Sequence, residues 1–91
     1  MNHKLCYTNN KMKELRLAKN LTQNQVATLL GLHTNERISK WERGTKVPSL
    51  SNFLLLSMIY EVHPNDLYPD LLPSLFRLLQ DQQVFHQDNK G

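Results

Sequence analysis

Residues 21–44 read LTQNQVATLLGLHTNERISKWERG, and the rest of the chain is organised around them. Thr22 followed three residues later by Gln25 fits a capping box, in which a side-chain oxygen and a backbone N–H at each end satisfy one another. Leu21 and Val26 fit the apolar staple that brackets such a start. Val26, Ala27, Leu29 and Leu30 then supply the inner face of a short helix. Gly31 closes it, at a position where positive φ costs glycine little. The turn is Gly31-Leu32-His33-Thr34, with Leu32 plugging it from below. Thr34 is the expected N-cap of a second helix over about 35–43. Ile38 and Trp41, three apart, turn to the core, while Asn35, Glu36, Arg37, Ser39, Lys40 and Arg43 cover the other faces. Gly44 ends the helix.

Outward from this pair, the chain reads as helical scaffold. A first helix is expected from about Asn10 to Lys19, capped by Asn9 or Asn10, with Met12, Leu15, Leu17 and Ala18 inward. Asn20 can take its left-handed exit. After the loop at Thr45–Pro48, a fourth helix runs from Ser49 or Ser51 to about Tyr60, with Leu50, Phe53, Leu54, Leu56, Ser57 and Met58 in or near the core. It is apolar nearly all round and is therefore predicted to be the central, most buried helix. Pro64 and Asp66 mark a short fifth helix, His63 to Tyr68, stopped by Pro69. A last helix is predicted from Leu71 or Pro73 to Phe85, with Leu71, Leu72, Leu75, Phe76, Leu78 and Leu79 making a wide apolar stripe. Residues 87–91 are expected to fray.

Composition narrows the class. Ninety-one residues with 40% apolar content suffice for one small core. The longest apolar run, Phe53–Leu56, is far too short to span a bilayer, and no export signal opens the chain, so a cytoplasmic location is expected. Cys6 is the only cysteine, which suits a reducing compartment. The four histidines are scattered; His3 and Cys6 together offer two ligands, too few for a structural metal site. No metal or other cofactor is expected. Charge is divided unevenly. Residues 1–48 hold nine basic and three acidic side chains, a net of +6; residues 49–91 hold two and five, a net of −3. Such a division fits a polyanion contact on one face, and equally a solvated charged surface.

Two helices, a glycine turn and a polar outer face make a helix-turn-helix pattern. The run LRLAKNLTQNQVATLLG, then ISKWERG, then PSL, is similar to the DNA-binding domain of the phage-repressor (Cro/Xre-like) family over about residues 11–68. The resemblance implies an all-α fold: a five-helix repressor-like DNA-binding domain with an added C-terminal helix. It divides the chain into an arm (1–9), the helix-turn-helix domain (10–68) and a C-terminal helix and tail (69–91). It also implies operator binding, usually as a dimer, and repression of transcription. Carried over by position, Asn35, Glu36, Ser39 and Lys40, with Arg37, are the expected base contacts. Thr22, Gln23, Thr34, Arg43, Thr45 and Lys46 are the expected phosphate contacts, Gln23 also bracing the second helix of the pair. Arg16 and Glu42 match a largely buried ion pair.

One departure from the family pattern bears on the site. The buried aliphatic usually six residues after the glycine is here seven after it, at Ile38, and Arg37 stands in its place. The added residue fits in the turn, where Thr34 then caps and Glu36 faces outward; inside the helix it would turn Arg37 outward instead. Residue chemistry suits either, since Asn pairs with adenine, Arg with guanine and Glu with cytosine. Glu36 and Lys40, four apart, could also simply pair on the helix surface.

The C-terminal stripe exceeds what folding back on a small core needs. A homodimer seam is the preferred expectation, a helix covering the core the alternative. The function expected is a sequence-specific regulator of double-stranded DNA, a dimeric repressor; the alternative is an antitoxin or adaptor whose C-terminal helix binds another protein. No nucleophile–base pair or phosphate loop points to an enzyme.

Overall fold

The computed structural model describes the backbone of residues 9–90 and side chains to residue 82. The expected arm, apart from Asn9, lies outside the described residues, as do the side chains from Gln83 onward. The elements are α1 (Met12–Ala18), α2 (Gln23–Leu29), α3 (Glu36–Arg43), α4 (Leu50–Tyr60), a 3-10 turn (Pro64–Asp66) and α5 (Leu71–Lys90). The fold is all-α among the described residues.

Local chemistry sets the boundaries. Asn10 Oδ1 accepts the Met12 N–H at 3.1 Å, satisfying an orphan donor at the start of α1, and Asn20 leaves the helix at φ 57°. The Thr22 hydroxyl accepts from the Gln25 N–H, and the Gln25 side chain accepts from the Thr22 N–H at 2.8 Å, completing the capping box on α2. Gly31 follows at φ 76°. Asn35, rather than Thr34, occupies the residue before α3, but the Thr34 hydroxyl accepts from the Glu36 N–H at 3.3 Å. Ser49 caps α4 by accepting from the Asn52 N–H at 3.2 Å.

Met12, Val26, Ala27, Ile38, Trp41, Leu56, Tyr60, Leu67 and Tyr68 form one core in which all four of the first helices meet. The expectation that α4 is the most buried helix is not met. Only Leu56, Ser57 and Tyr60 are buried on it, while Leu50 and Met58 are 72% and 70% exposed and Leu54 lies between them on the same side. α4 is apolar on all faces, but only one face has neighbours. Leu29 on α2, and Leu17 and Ala18 on α1, also face solvent rather than the core, because each lies more than about 100° round its helix from the centre of the buried face. The buried Ser57 hydroxyl is satisfied by donating to the Leu54 carbonyl at 2.7 Å.

The segment expected as a fifth helix is a single 3-10 turn. Pro64 and Pro69 bracket it, and the residue before a proline resists the α region, so no longer helix fits between them. The turn nonetheless delivers Leu67 and Tyr68 to the core, with the Tyr68 ring 5.9 Å from that of Phe53. α5 then runs to Lys90, five residues beyond the predicted end. A helix of that length spans about 30 Å. It extends away from the body, and the molecule measures 54 Å in its longest dimension against 22 and 20 Å in the others. Leu71 packs on the core, but Leu72, Leu75, Phe76 and Leu79 are exposed. Of the two expectations for this segment, the alternative of a helix that only covers the core does not describe residues 72–82.

Candidate nucleic-acid interface

The site is built on α3, and three segments hold α3 in place. Arg16 on α1 donates from Nε to Glu42 Oε2 at 2.7 Å and from its Nη2 to Glu42 Oε1 at 3.1 Å, a forked pair with side chains only 8% and 5% exposed. Arg16 Nη1 donates to the Leu21 carbonyl at 2.9 Å, tying in the α1–α2 loop. Gln23 Nε2 donates to Glu42 Oε1 at 3.0 Å from the first turn of α2. Asn10 Nδ2 reaches the carbonyls of Trp41 and Glu42 at 3.3 and 3.4 Å. The Glu42 hydrogen bond and charge together raise the Arg16 pKa above its ordinary value against the opposing effect of burial, so the guanidinium stays charged. Burial pushes the Tyr60 phenol up, and the Glu42 carboxylate adds to the shift. That hydroxyl is buried without a hydrogen-bond partner among the described residues.

Helical geometry then fixes which side chains of α3 face outward. At about 100° per residue, the direction opposite the buried Ile38 and Trp41 passes through Glu36 and Arg43, with Lys40 and Ser39 to either side. Arg37 is exposed and lies roughly a quarter turn from that direction. α3 is regular from Glu36 to Arg43, and the added residue sits in the turn before it. Asn35, half-buried, borders a shallow groove over the start of α2 together with Thr22, Gln23 and Asn24.

Lys40 Nζ and Glu36 Oε2 are 3.2 Å apart, an i,i+4 pair open to solvent. Such a pair is worth a few tenths of a kcal/mol and gives way readily to a better partner. Beyond Arg43 the chain doubles back on the end of α3. Gly44 has φ 78°, and the Lys40 carbonyl accepts from the Thr45 N–H (3.0 Å), the Thr45 hydroxyl (3.2 Å) and the Lys46 N–H (3.4 Å). This folds Thr45 and Lys46 beside Arg43, whose Nε donates to the Ser39 carbonyl at 3.3 Å. Arg43 makes no ion pair among the described residues with α4 or the C-terminal segment.

Of the sequence-expected base and phosphate residues, Thr22, Gln23 and Asn35 border one groove, Glu36, Ser39, Lys40 and Arg43 lie on the outward half of α3, and Thr45 and Lys46 fold back onto the Lys40 carbonyl. Thr34 lies in the α2–α3 turn and Arg37 at the flank of α3. Sequence reading missed Asn10 as a tie to α3 and Asn24 as part of the groove. The signal for Asn10 was weak, since its distance from α3 in the chain hides the contact. Among the described residues no group of His, Cys, Asp and Glu could hold a metal ion, and no helix is long and apolar enough to cross a membrane.

A capped helix, a glycine turn and a second helix presenting charged and amide groups outward define a DNA-reading helix-turn-helix domain. The family model of that domain, the helix-turn-helix of Cro/Xre type, matches residues 12–67, and the chain belongs to this family. The family and fold are those of DNA-binding regulators rather than enzymes. Among characterised proteins, the chain is 37% identical over 59 residues to the HTH-type transcriptional activator BcrR of Enterococcus faecalis. The match covers 65% of this chain but only 28% of that relative's length. Among solved structures it resembles the restriction-modification controller protein C.AhdI from Aeromonas hydrophila, with a TM-score of 0.57 and 36% identity over 64% of this chain and 86% of that one. Each match leaves about a third of this chain uncovered.

Proposed function

We propose that this protein is a cytoplasmic, sequence-specific transcription regulator that binds double-stranded DNA as a homodimer and represses. The observation that carries the reading is the α3 surface: a helix pinned by buried ties to α1, α2 and the N-terminal segment, with Glu36, Lys40 and Arg43 outward. Asn35, Glu36, Ser39 and Lys40 read base edges, with Arg37 at their flank. Thr22, Gln23, Thr34, Arg43, Thr45 and Lys46 hold phosphates. Gln23 gives one N–H to Glu42 and keeps the other for an acceptor. The Arg16–Glu42 pair fixes the angle at which α3 enters the groove. Dimerisation runs through residues 69–91, where α5 carries an apolar face that its own chain does not cover. Repression follows from occupancy, since a dimer seated on an operator excludes other proteins from it.

Two observations favour neighbouring readings. The relative BcrR is named an activator, so a promoter–reporter fusion assigns the sign. The projecting α5 face also suits a partner other than a second copy, as in an antitoxin or adaptor with DNA binding secondary. Co-purification of a stoichiometric non-self protein would favour that reading. The main test is a gel-shift series with genomic fragments at rising salt. Retention of particular fragments over bulk DNA, with steep salt dependence, is the expected result. Equal binding to all fragments would sink the reading.

A further inference from the structure

We propose that the α2–α3 turn and the flank of α3 form a separate cleft that grips a backbone phosphate of the operator, with Arg37 as its cation and His33 and Thr34 as its hydrogen-bonding walls. This rests on the DNA-reading surface above and assigns Arg37 a role apart from base reading.

Gly31, Leu32, His33, Thr34 and Arg37 line one concavity at the N-terminal end of α3. His33, Thr34 and Arg37 are all exposed, while Leu32 packs against the core and anchors the turn. A Cβ at Gly31 would meet nothing within 4 Å, so the cleft is open there, and glycine is needed for its φ of 76° rather than for space. No carboxylate lines the cleft. Glu36, next to Arg37 in the chain, lies on the outward face, 3.2 Å from Lys40.

The groups present suit a tetrahedral anion. Arg37 offers a forked set of N–H donors and a permanent charge. The Thr34 hydroxyl accepts from the Glu36 N–H at 3.3 Å, which leaves its own proton to donate outward. His33 supplies a ring N–H. The added turn residue is what brings these together: it lengthens the turn while Ile38 and Trp41 keep α3 in register. The quarter-turn offset of Arg37 from the Glu36–Arg43 direction places it at the wall of the groove, where the phosphates run, rather than over base edges.

The test measures affinity of the full chain for a duplex bearing its preferred site, and for duplexes changed at one base pair each, between 50 and 200 mM salt. Arg37→Ala is expected to lower affinity by the same factor on every duplex. The slope of log affinity against log salt should become shallower by about 0.9 per protomer. Arg37→Lys should keep most of that slope, because a phosphate accepts a point charge whereas bidentate base reading does not. His33→Ala should cause a smaller, equally uniform loss. All these side chains are exposed, so unchanged melting curves verify the fold. Loss of discrimination at a single base pair in Arg37→Ala would overturn the proposal in favour of guanine reading, and an unchanged affinity and slope would overturn it outright. Absence of any sequence preference in the wild type would instead bring down the DNA-reading function itself, so the two failures are distinguishable.

Discussion

α3 and α5 are both amphipathic stretches with obvious apolar residues, yet the chain treats them differently. On α3 nearly every inward group is matched within the molecule. Ile38 and Trp41 fill the core, and Glu42 receives donors from Arg16 and Gln23 at 2.7–3.1 Å. What remains outward is polar. On α5, among the described residues, Leu71 packs on the core, while Phe76 stays 67% exposed beside Leu72, Leu75 and Leu79. The difference separates a surface finished by its own fold, ready for a polar ligand, from one whose apolar face is left over. It is this leftover face that the proposed dimer would cover.

The sharpest way to break this comparison is at Glu42. Glu42→Ala strands the buried Arg16 charge and unties α1, α2 and α3 together. A loss of about 3–5 kcal/mol in urea unfolding is expected. A loss below about 1 kcal/mol would mean that α3 is not held by this network. Thr22→Ala is the intermediate case. It removes one half of the capping box at the edge of the same surface and should cost about 1 kcal/mol. At α5 the expected effect on the folded monomer is smallest. Replacing Leu72 and Phe76 together with Ser should shift unfolding of the isolated chain by no more than about 0.5 kcal/mol, since neither side chain packs on the body. The same pair of changes should abolish the dimer in sedimentation. A large fall in monomer stability instead would show that the α5 face is spent internally.

The α3 half of the comparison was the more legible in sequence. Thr22 and Gln25, Gly31, and the Ile38–Trp41 spacing encode local geometry, and local rules read them directly. The Gly31–Ile38 spacing left the α3 register open, and the structure sets the added residue in the turn. α4 resisted for a different reason. Its residues are apolar on every side, so periodicity could not say which side meets the core. Only the positions of α1, α3 and the 3-10 turn decide that Leu56 and Tyr60 are buried and that Leu50 and Met58 are not. The short segment at His63–Tyr68 carried helix signals at both ends but two prolines too close together for a helix. Leu67 and Tyr68 entered the core without a periodic signature, delivered by the end of the 3-10 turn, whereas Tyr60 continues the buried face of α4 four residues after Leu56. Asn10 was legible as a cap, and its second task at the Trp41 and Glu42 carbonyls lies 31 and 32 residues away in the chain, beyond local rules.

Selection of duplexes from a random pool by the full chain tests the central claim most directly, namely that the outward face of α3 reads DNA in the setting of a symmetric dimer. Enrichment of a two-fold symmetric sequence is expected, with half-sites about one helical turn, roughly 34 Å, or a multiple of it apart. A pool that passes through successive rounds with no sequence enriched would contradict it.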